Sequence, residues 1–415
     1  MRGTVYVIGA GLSGLSAAVE LAARGVHVEV LEAAPQAGGR CRSYFDPVLN
    51  RVIDNGNHLV LSGNHATFAY LDRIGSTQHL VGPDEAEFHF VNVSSGERWV
   101  IRPNDGPLAW WVFSRARRVP ETKTADYIAI ARLLWPTRGS RVRDLADCKG
   151  ALWERLLEPV LIAALNSEPE TASAELAGAV LRETLAKGGR AYRPRVASPA
   201  LASAFIDPAI AYLQSRGCDV RFGHRLRKIV LDNARIRSLS LAQGEQGIGG
   251  EDVVIFAAPP WIARELVPGL TAPTDFRGIL NAHFSMTPPA DAPQIIGITG
   301  GTAEWAFAFE DRISVTVSNA DRLMDESRDN LIAVLWRDVA RALNLAGDPP
   351  LCQIVKERRA TFAATPEQAR LRPQAETRWP NLLLAGDWTD TGLPATIEGA
   401  IRSGRKAAEL ALKQL

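Results

Sequence analysis

The stretch TVYVIGAGLSGLSAAVELAARGVHVEVLE, residues 4–32, decides the fold. Thr4 to Ile8 is an apolar run of strand length, Leu15 to Ala23 is rich in helix formers, and Val26, Val28 and Val30 alternate as strands do. The order strand, turn, helix, strand is the opening of a βαβ unit, with Gly25 where a left-handed helix C-cap is wanted. Gly9, Gly11 and Gly14 occupy the turn. Gly9 permits the tight bend, Gly11 lets a pyrophosphate approach the backbone, and Gly14 lets helix and strand pack closely. The amides of the helix N-terminus then face the anion. Glu32, at the end of the second strand, stands where a carboxylate accepts both ribose hydroxyls of an adenosine. The expectation is a Rossmann-like α/β nucleotide-binding domain.

The residues just beyond Glu32 select between dinucleotides. Gly38, Gly39 and Arg40, with Arg42 and Ser43, offer a second clamp, which FAD needs because its pyrophosphate and ribityl chain extend past the first turn. Gly39 and Arg40 are the candidates for it. No second G-x-G-x-x-G is present for a nicotinamide cofactor, so electrons are expected from outside the chain.

Composition bounds the rest. A chain of 415 residues, 46% hydrophobic, is long enough for two or three packed units. Lys and Arg number 47 against 46 Asp and Glu, so no global field recruits nucleic acid. Cys41, Cys148, Cys218 and Cys352 are scattered, without the close pairs of metal or redox sites, and no metal is expected. The N-terminus lacks the pattern of a secretory signal, and no apolar run approaches the roughly 18 residues of a membrane span. A cytoplasmic protein is expected.

Along the chain, residues 98–195 read as long helical stretches rich in Trp, Leu, Ala and Arg. Strand signals return at Asp219 to Ile229 and Asp252 to Ala257. A further excursion from Thr274 holds the alternating segment Trp305 to Val317 and a helix around Asn330 to Leu343. The last residues return to a buried strand, Asn381 to Ala385, and a terminal helix. This predicts a discontinuous FAD-binding domain, residues 1–95, 196–273 and 374–415, with an inserted mixed α+β substrate-binding domain, residues 96–195 and 274–373.

The glycine turn, Glu32, Gly38-Gly39-Arg40 and the closing Gly386-Asp387 together resemble the flavoprotein family of amine oxidases and carotenoid desaturases. The resemblance implies noncovalent FAD, since no cysteine or histidine stands just ahead of Gly386. It implies that Asp387 holds the ribityl or pyrophosphate segment. Ala395, Thr396 and Ile397 would open a helix whose dipole faces the flavin pyrimidine edge. Asp54-Asn55-Gly56-Asn57-His58 is similar to the segment passing the isoalloxazine ring, with Gly56 and Asn57 in backbone contact. Leu226 would meet adenine through its backbone. Leu165-Asn166-Ser167-Glu168-Pro169 and Gly392-Leu393-Pro394-Ala395 resemble a narrower group, the squalene-associated flavin-dependent desaturases, understood as hydroxysqualene dehydroxylases.

That resemblance implies reductive removal of the hydroxyl of hydroxysqualene, giving squalene in hopanoid or isoprenoid biosynthesis, by hydride from reduced flavin. Carotenoid desaturation runs hydride the other way through the same motifs, and amine oxidation would use a polar aromatic cage. A flavoprotein that only carries isoprenoids is a third possibility, from another class. An acid must assist loss of hydroxide, and Asp54 and His58 are the candidates. Trp305, Phe307 and Phe309 alternate on one strand face, either as a pocket for the apolar chain or as a plain core stripe. A C30 substrate dissolves in lipid, and residues 102–143 carry nine Lys and Arg against three Asp and Glu around Trp110 and Trp111. An interfacial helix there would dock on an anionic membrane. Squalene-pathway enzymes are further candidate partners.

Overall fold

The computed structural model describes residues 3–232 and 234–415. The βαβ opening is the strand Val5–Ile8, the helix Leu12–Ala22 and the strand Val28–Leu31. These two strands lie at the middle of a five-stranded parallel sheet. Its spatial order is Asp219–Arg221, Val28–Leu31, Val5–Ile8, Val253–Phe256, Leu382–Leu384. Three distant parts of the chain therefore build one sheet. Parallel strands are covered on both faces, which is why VYVI, VVIF and LLL are buried without alternation. The terminal helix Ile397–Ala411 packs on the first helix so closely that a Cβ at Gly404 would meet the Ser13 carbonyl at 2.1 Å, and Ser16 Oγ donates to the Ile401 carbonyl at 2.9 Å.

A second sheet has seven strands, in the order Cys352–Phe362, Phe276–Phe284, Ile313–Val317, Trp305–Ala308, Ile295–Thr299, Phe88–Asn92, Arg98–Ile101. One face packs on the helix Arg328–Leu343 through Leu331, Leu335, Trp336 and Val339. The other carries Phe90, Trp99, Trp305 and Phe307 and packs on the helical segments through Trp111, Leu133, Trp153 and Leu161.

Three expectations change. The boundary at residue 95 cuts the hairpin Phe88–Asn92/Arg98–Ile101, and Phe88–Asn92 pairs in parallel with Ile295–Thr299, so the second sheet begins at 88. The long helices expected over 98–195 are short pieces, among them Glu158–Leu165 and Ala174–Glu183, broken by Pro and Gly. The alternating segment Trp305 to Val317 is a hairpin of two strands. Its first strand ends at Ala308, so Phe309 stands in the turn, where its amide donates to the Arg312 carbonyl at 2.9 Å.

Candidate functional site

The glycine turn has the shape its spacing implied. Gly9 adopts φ +107°, open to glycine at little cost, and a Cβ at Gly14 would meet the Gly9 carbonyl at 2.0 Å. Gly11 begins the helix Leu12–Ala22, whose first turn has no side-chain cap. A Cβ at Gly11 would meet no protein atom within 4 Å. Open space thus lies over uncapped amides, with Gly38 bridged to Gly11 beside it and Gly39 3.6 Å away at its own would-be Cβ. Such a cradle fits a pyrophosphate.

Glu32 faces this turn. Its Oε2 accepts the Ala10 amide and its Oε1 the Ala34 amide, both at 2.7 Å. Each carboxylate oxygen keeps a second lone pair for a ribose hydroxyl. The chain passes back beside it, the His224 amide donating to the Glu32 carbonyl at 2.7 Å, and brings the buried Leu226 to the start of the strand Leu226–Leu231.

Arg40 and Asp387, 347 residues apart, meet in an ion pair at 2.7 Å, and Arg40 also donates to the Ala360 carbonyl at 2.6 Å. Asp387 is buried, whereas 42% of the Arg40 side chain is open. Arg40 and Asp387 line a small cleft with Pro259, Trp261 and Phe362. Gly386 is held by Ser403, whose hydroxyl accepts its amide at 2.8 Å, and Trp388 Nε1 donates to the Ala258 carbonyl at 3.2 Å. Arg372, which no sequence signal singled out, lies buried under this turn. It donates to the carbonyls of Asp387 and Thr389 and to Thr391 Oγ1, and its guanidinium lies over the Phe362 ring. Desolvation pushes its pKa down to about 10, which leaves it charged at neutral pH. Ala395, Thr396 and Ile397 are half-buried at the start of the terminal helix, where Thr396 Oγ1 accepts the Gly399 amide. Glu398, next along, is buried and turned to Thr67 and Arg402.

The turn Asn55–His58 follows the strand Arg51–Asp54 and lies against the seven-stranded sheet. Gly56 is buried, and Asn57 is held on the second sheet by Thr316 Oγ1 at 3.1 Å. Asn57 Oδ1 and Trp305 Nε1 are enclosed without a protein partner among the described residues. His58 is half-buried, and desolvation, with Arg40 nearby, lowers its pKa to about 4. It is neutral at physiological pH and holds no spare proton to give as an imidazolium. Asp54 is corrected from acid to structural clasp. It is 2% exposed and accepts from Ser43 Oγ at 2.6 Å and the Leu201 amide at 2.9 Å, with Arg312 at 3.7 Å. Burial raises its pKa, but its oxygens are committed to tying the chain to the helix Leu201–Phe205. Phe309 is corrected too. Arg312 lies 4.0 Å over its ring, so that face already carries a cation, while Trp305 and Phe307 remain in the shared apolar core.

The cluster near Trp110 is a four-residue turn, Trp110–Phe113, rather than a long interfacial helix. Trp111 and Val112 point inward. Leu108 is 80% exposed, Trp110 51%, Phe113 71%, Ile128 68% and Trp135 78%. Among the described residues no helix is long and apolar enough to cross a membrane, and no group of His, Cys, Asp and Glu could hold a metal ion.

Comparison with known proteins agrees with this geometry. The pattern of flavin containing amine oxidoreductases matches residues 12–412. A hydroxysqualene dehydroxylase of Sinorhizobium fredii is 50% identical over 414 residues, covering 100% of this chain and 99% of its own. One of Rhodopseudomonas palustris is also 50% identical, covering 99% of each. Cyclohexylamine oxidase of Brevibacterium oxydans superposes with a TM-score of 0.71 at 15% identity, over 100% of this chain and 99% of that one, and so shares the fold. The chain is an FAD-dependent oxidoreductase, and it belongs to the flavin containing amine oxidoreductase family, on the branch of the hydroxysqualene dehydroxylases.

Proposed function

We propose that this enzyme removes the hydroxyl of hydroxysqualene to give squalene, as a step toward hopanoids or related isoprenoids. The observation that carries this reading is half identity, end to end, to proteins of that activity. Bound FAD, once reduced, supplies the hydride that replaces the hydroxyl. The chain's part is binding, orientation and exclusion of water.

In this reading Gly9, Gly11 and Gly14 seat the pyrophosphate, Glu32 takes the ribose and the Leu226 backbone meets adenine. Arg40, with Gly39 beside it, faces the phosphates and is held in place by Asp387. Gly56 and Asn57 lie against the ring, and Ala395, Thr396 and Ile397 present the helix terminus to its pyrimidine edge. The seven-stranded sheet and the helical segments enclose the substrate, with Trp305 and Phe307 on the wall. Their apolar face suits a C30 chain and keeps water from a departing hydroxide. His58, neutral and with one ring nitrogen on the Arg40 backbone, keeps its other nitrogen as an acceptor that orients the substrate hydroxyl.

The same reading places the enzyme on the cytoplasmic face of a membrane. Five exposed apolar side chains between Leu108 and Trp135, with Arg115, Arg117, Arg118 and Arg132 among them, form a surface suited to anionic lipid. Arg117 already lies over the Trp110 ring at 4.9 Å. Delivery from other squalene-pathway enzymes would occur at that surface.

The test is an anaerobic single turnover of photoreduced enzyme with hydroxysqualene, followed by extraction. Squalene in one equivalent per flavin, with the flavin reoxidised, is expected. Unchanged hydroxysqualene over a flavin that stays reduced refutes the proposal.

A further inference from the structure

Asn281 stands in the middle of the strand Phe276–Phe284, 1% exposed. Its carboxamide reaches across to the turn Asn55–His58 and holds it on both sides of Gly56. Nδ2 donates to the Asn55 carbonyl at 3.3 Å, and Oδ1 accepts the Asn57 amide at 3.3 Å. Behind it, Thr316, its partner in the ladder to Ile313–Val317, donates its hydroxyl to Asn281 Oδ1 at 2.8 Å. With that proton committed, Thr316 Oγ1 accepts from Asn57 Nδ2 at 3.1 Å, and the same Nδ2 donates to the Val315 carbonyl at 3.3 Å. The orientation of both carboxamides follows from this chain of donors and acceptors.

A carboxamide presents the same donor and acceptor as a peptide group. Asn281 therefore stands in for a neighbouring strand beside a turn that belongs to no ladder. The fit is close, since a Cβ at Gly56 would come within 3.1 Å of Asn281 Nδ2.

We propose that Asn281, backed by Thr316, is a positioning residue that fixes the Gly56–Asn57 turn against the isoalloxazine ring and so tunes the affinity and reduction potential of the flavin. This rests on the placement of the ring at that turn given above. A turn held at two peptide groups keeps its dipoles fixed, and fixed dipoles act strongly on a ring whose charge changes on reduction.

The holoenzyme tests it through FAD dissociation, the visible circular dichroism of bound flavin and its midpoint potential. Asn281→Ala loses both hydrogen bonds and is expected to weaken FAD by about tenfold or more, with a changed visible spectrum and a shifted potential. Thr316→Val shifts the same readings in the same direction by a smaller factor. Asp338→Ala removes a buried carboxylate that accepts the Thr302 and Ala303 amides on the far side of the same sheet, and it lowers only the melting temperature. If Asn281→Ala and Thr316→Val behave like Asp338→Ala, with wild-type dissociation, spectrum and potential, the inference is overturned. Should Asn281→Ala fail to fold, Thr316→Val decides by the same readings. Gly56→Ala separates the underlying placement. If it too leaves the flavin untouched, the ring does not lie on this turn; if it alone perturbs the flavin, the placement stands and the clasp falls.

Discussion

Replacing Glu32 by glutamine tests the adenosine end of the site with almost no change of shape. In the structure the two carboxylate oxygens accept separate backbone amides, Ala10 from the glycine turn and Ala34 from the loop after the second strand, both at 2.7 Å. Glutamine has one oxygen, so one amide would face an NH2 group, donor against donor. Losing a charge-assisted hydrogen bond of this kind costs about 2 kcal/mol, which appears in the stability of the apoprotein as a fall of roughly 2 °C in melting temperature. FAD feels a second loss. The carboxylate's remaining lone pairs serve the ribose hydroxyls, and glutamine can accept only on one side. A further loss of about 2 kcal/mol corresponds to FAD binding about 30-fold weaker. Titration of apoprotein with FAD, followed by quenching of flavin fluorescence, reads the affinity, and a thermal melt without cofactor reads the first loss. A Glu32→Gln protein with a dissociation constant within threefold of wild type would refute the ribose role. An unchanged melt would refute the tie between turn and loop.

Two further predictions rest on surfaces and titration. Wild type floats with anionic vesicles, and Trp110→Ser with Trp135→Ser lowers that binding about tenfold or more, because two exposed indoles leave the interface; equal flotation of the variant would show that lipid does not cover this face. The second concerns stability between pH 6.5 and 4.5. His58 and His283, both lowered to about 4 by desolvation, take up protons there only on unfolding, whereas Glu304, raised to about 7 by desolvation, releases one. The net from these groups, two minus one, is one proton gained on unfolding, so stability falls as pH drops through this window, by about 1.4 kcal/mol per unit. His283→Gln flattens that slope and Glu304→Gln steepens it in urea titrations, and a slope unmoved by either variant would exclude these groups as its source.

The local chemistry of the cofactor site was open to reading from the chain alone. The bend at Gly9, the close packing at Gly14 and the carboxylate at Glu32 act within 24 residues, and each follows from φ, from steric room or from the length of one strand. Gly38-Gly39-Arg40 and Gly386-Asp387 were visible as motifs, and their resemblance to known flavoproteins carried the family. The roles of Asp54 and Phe309 are not legible in the chain, because a carboxylate or an aromatic ring shows its role only through what it touches. Asp54 touches Ser43, Leu201 and Arg312, and the Phe309 ring lies beneath Arg312.

What only the tertiary structure decided is which distant groups meet. Arg40 finds Asp387 347 residues away, Asn281 grips a turn 226 residues before it, and Arg372 lies buried under the Asp387 turn without any motif around it. Trp110 and Trp111 are neighbours of one type, yet one faces solvent and the other the core, since a short turn sends successive side chains in different directions. Periodicity and spacing report forces along the chain. A hydrogen bond or ion pair across it depends on where two sheets come to rest against each other, and that is set by the packing of apolar faces contributed by the whole molecule.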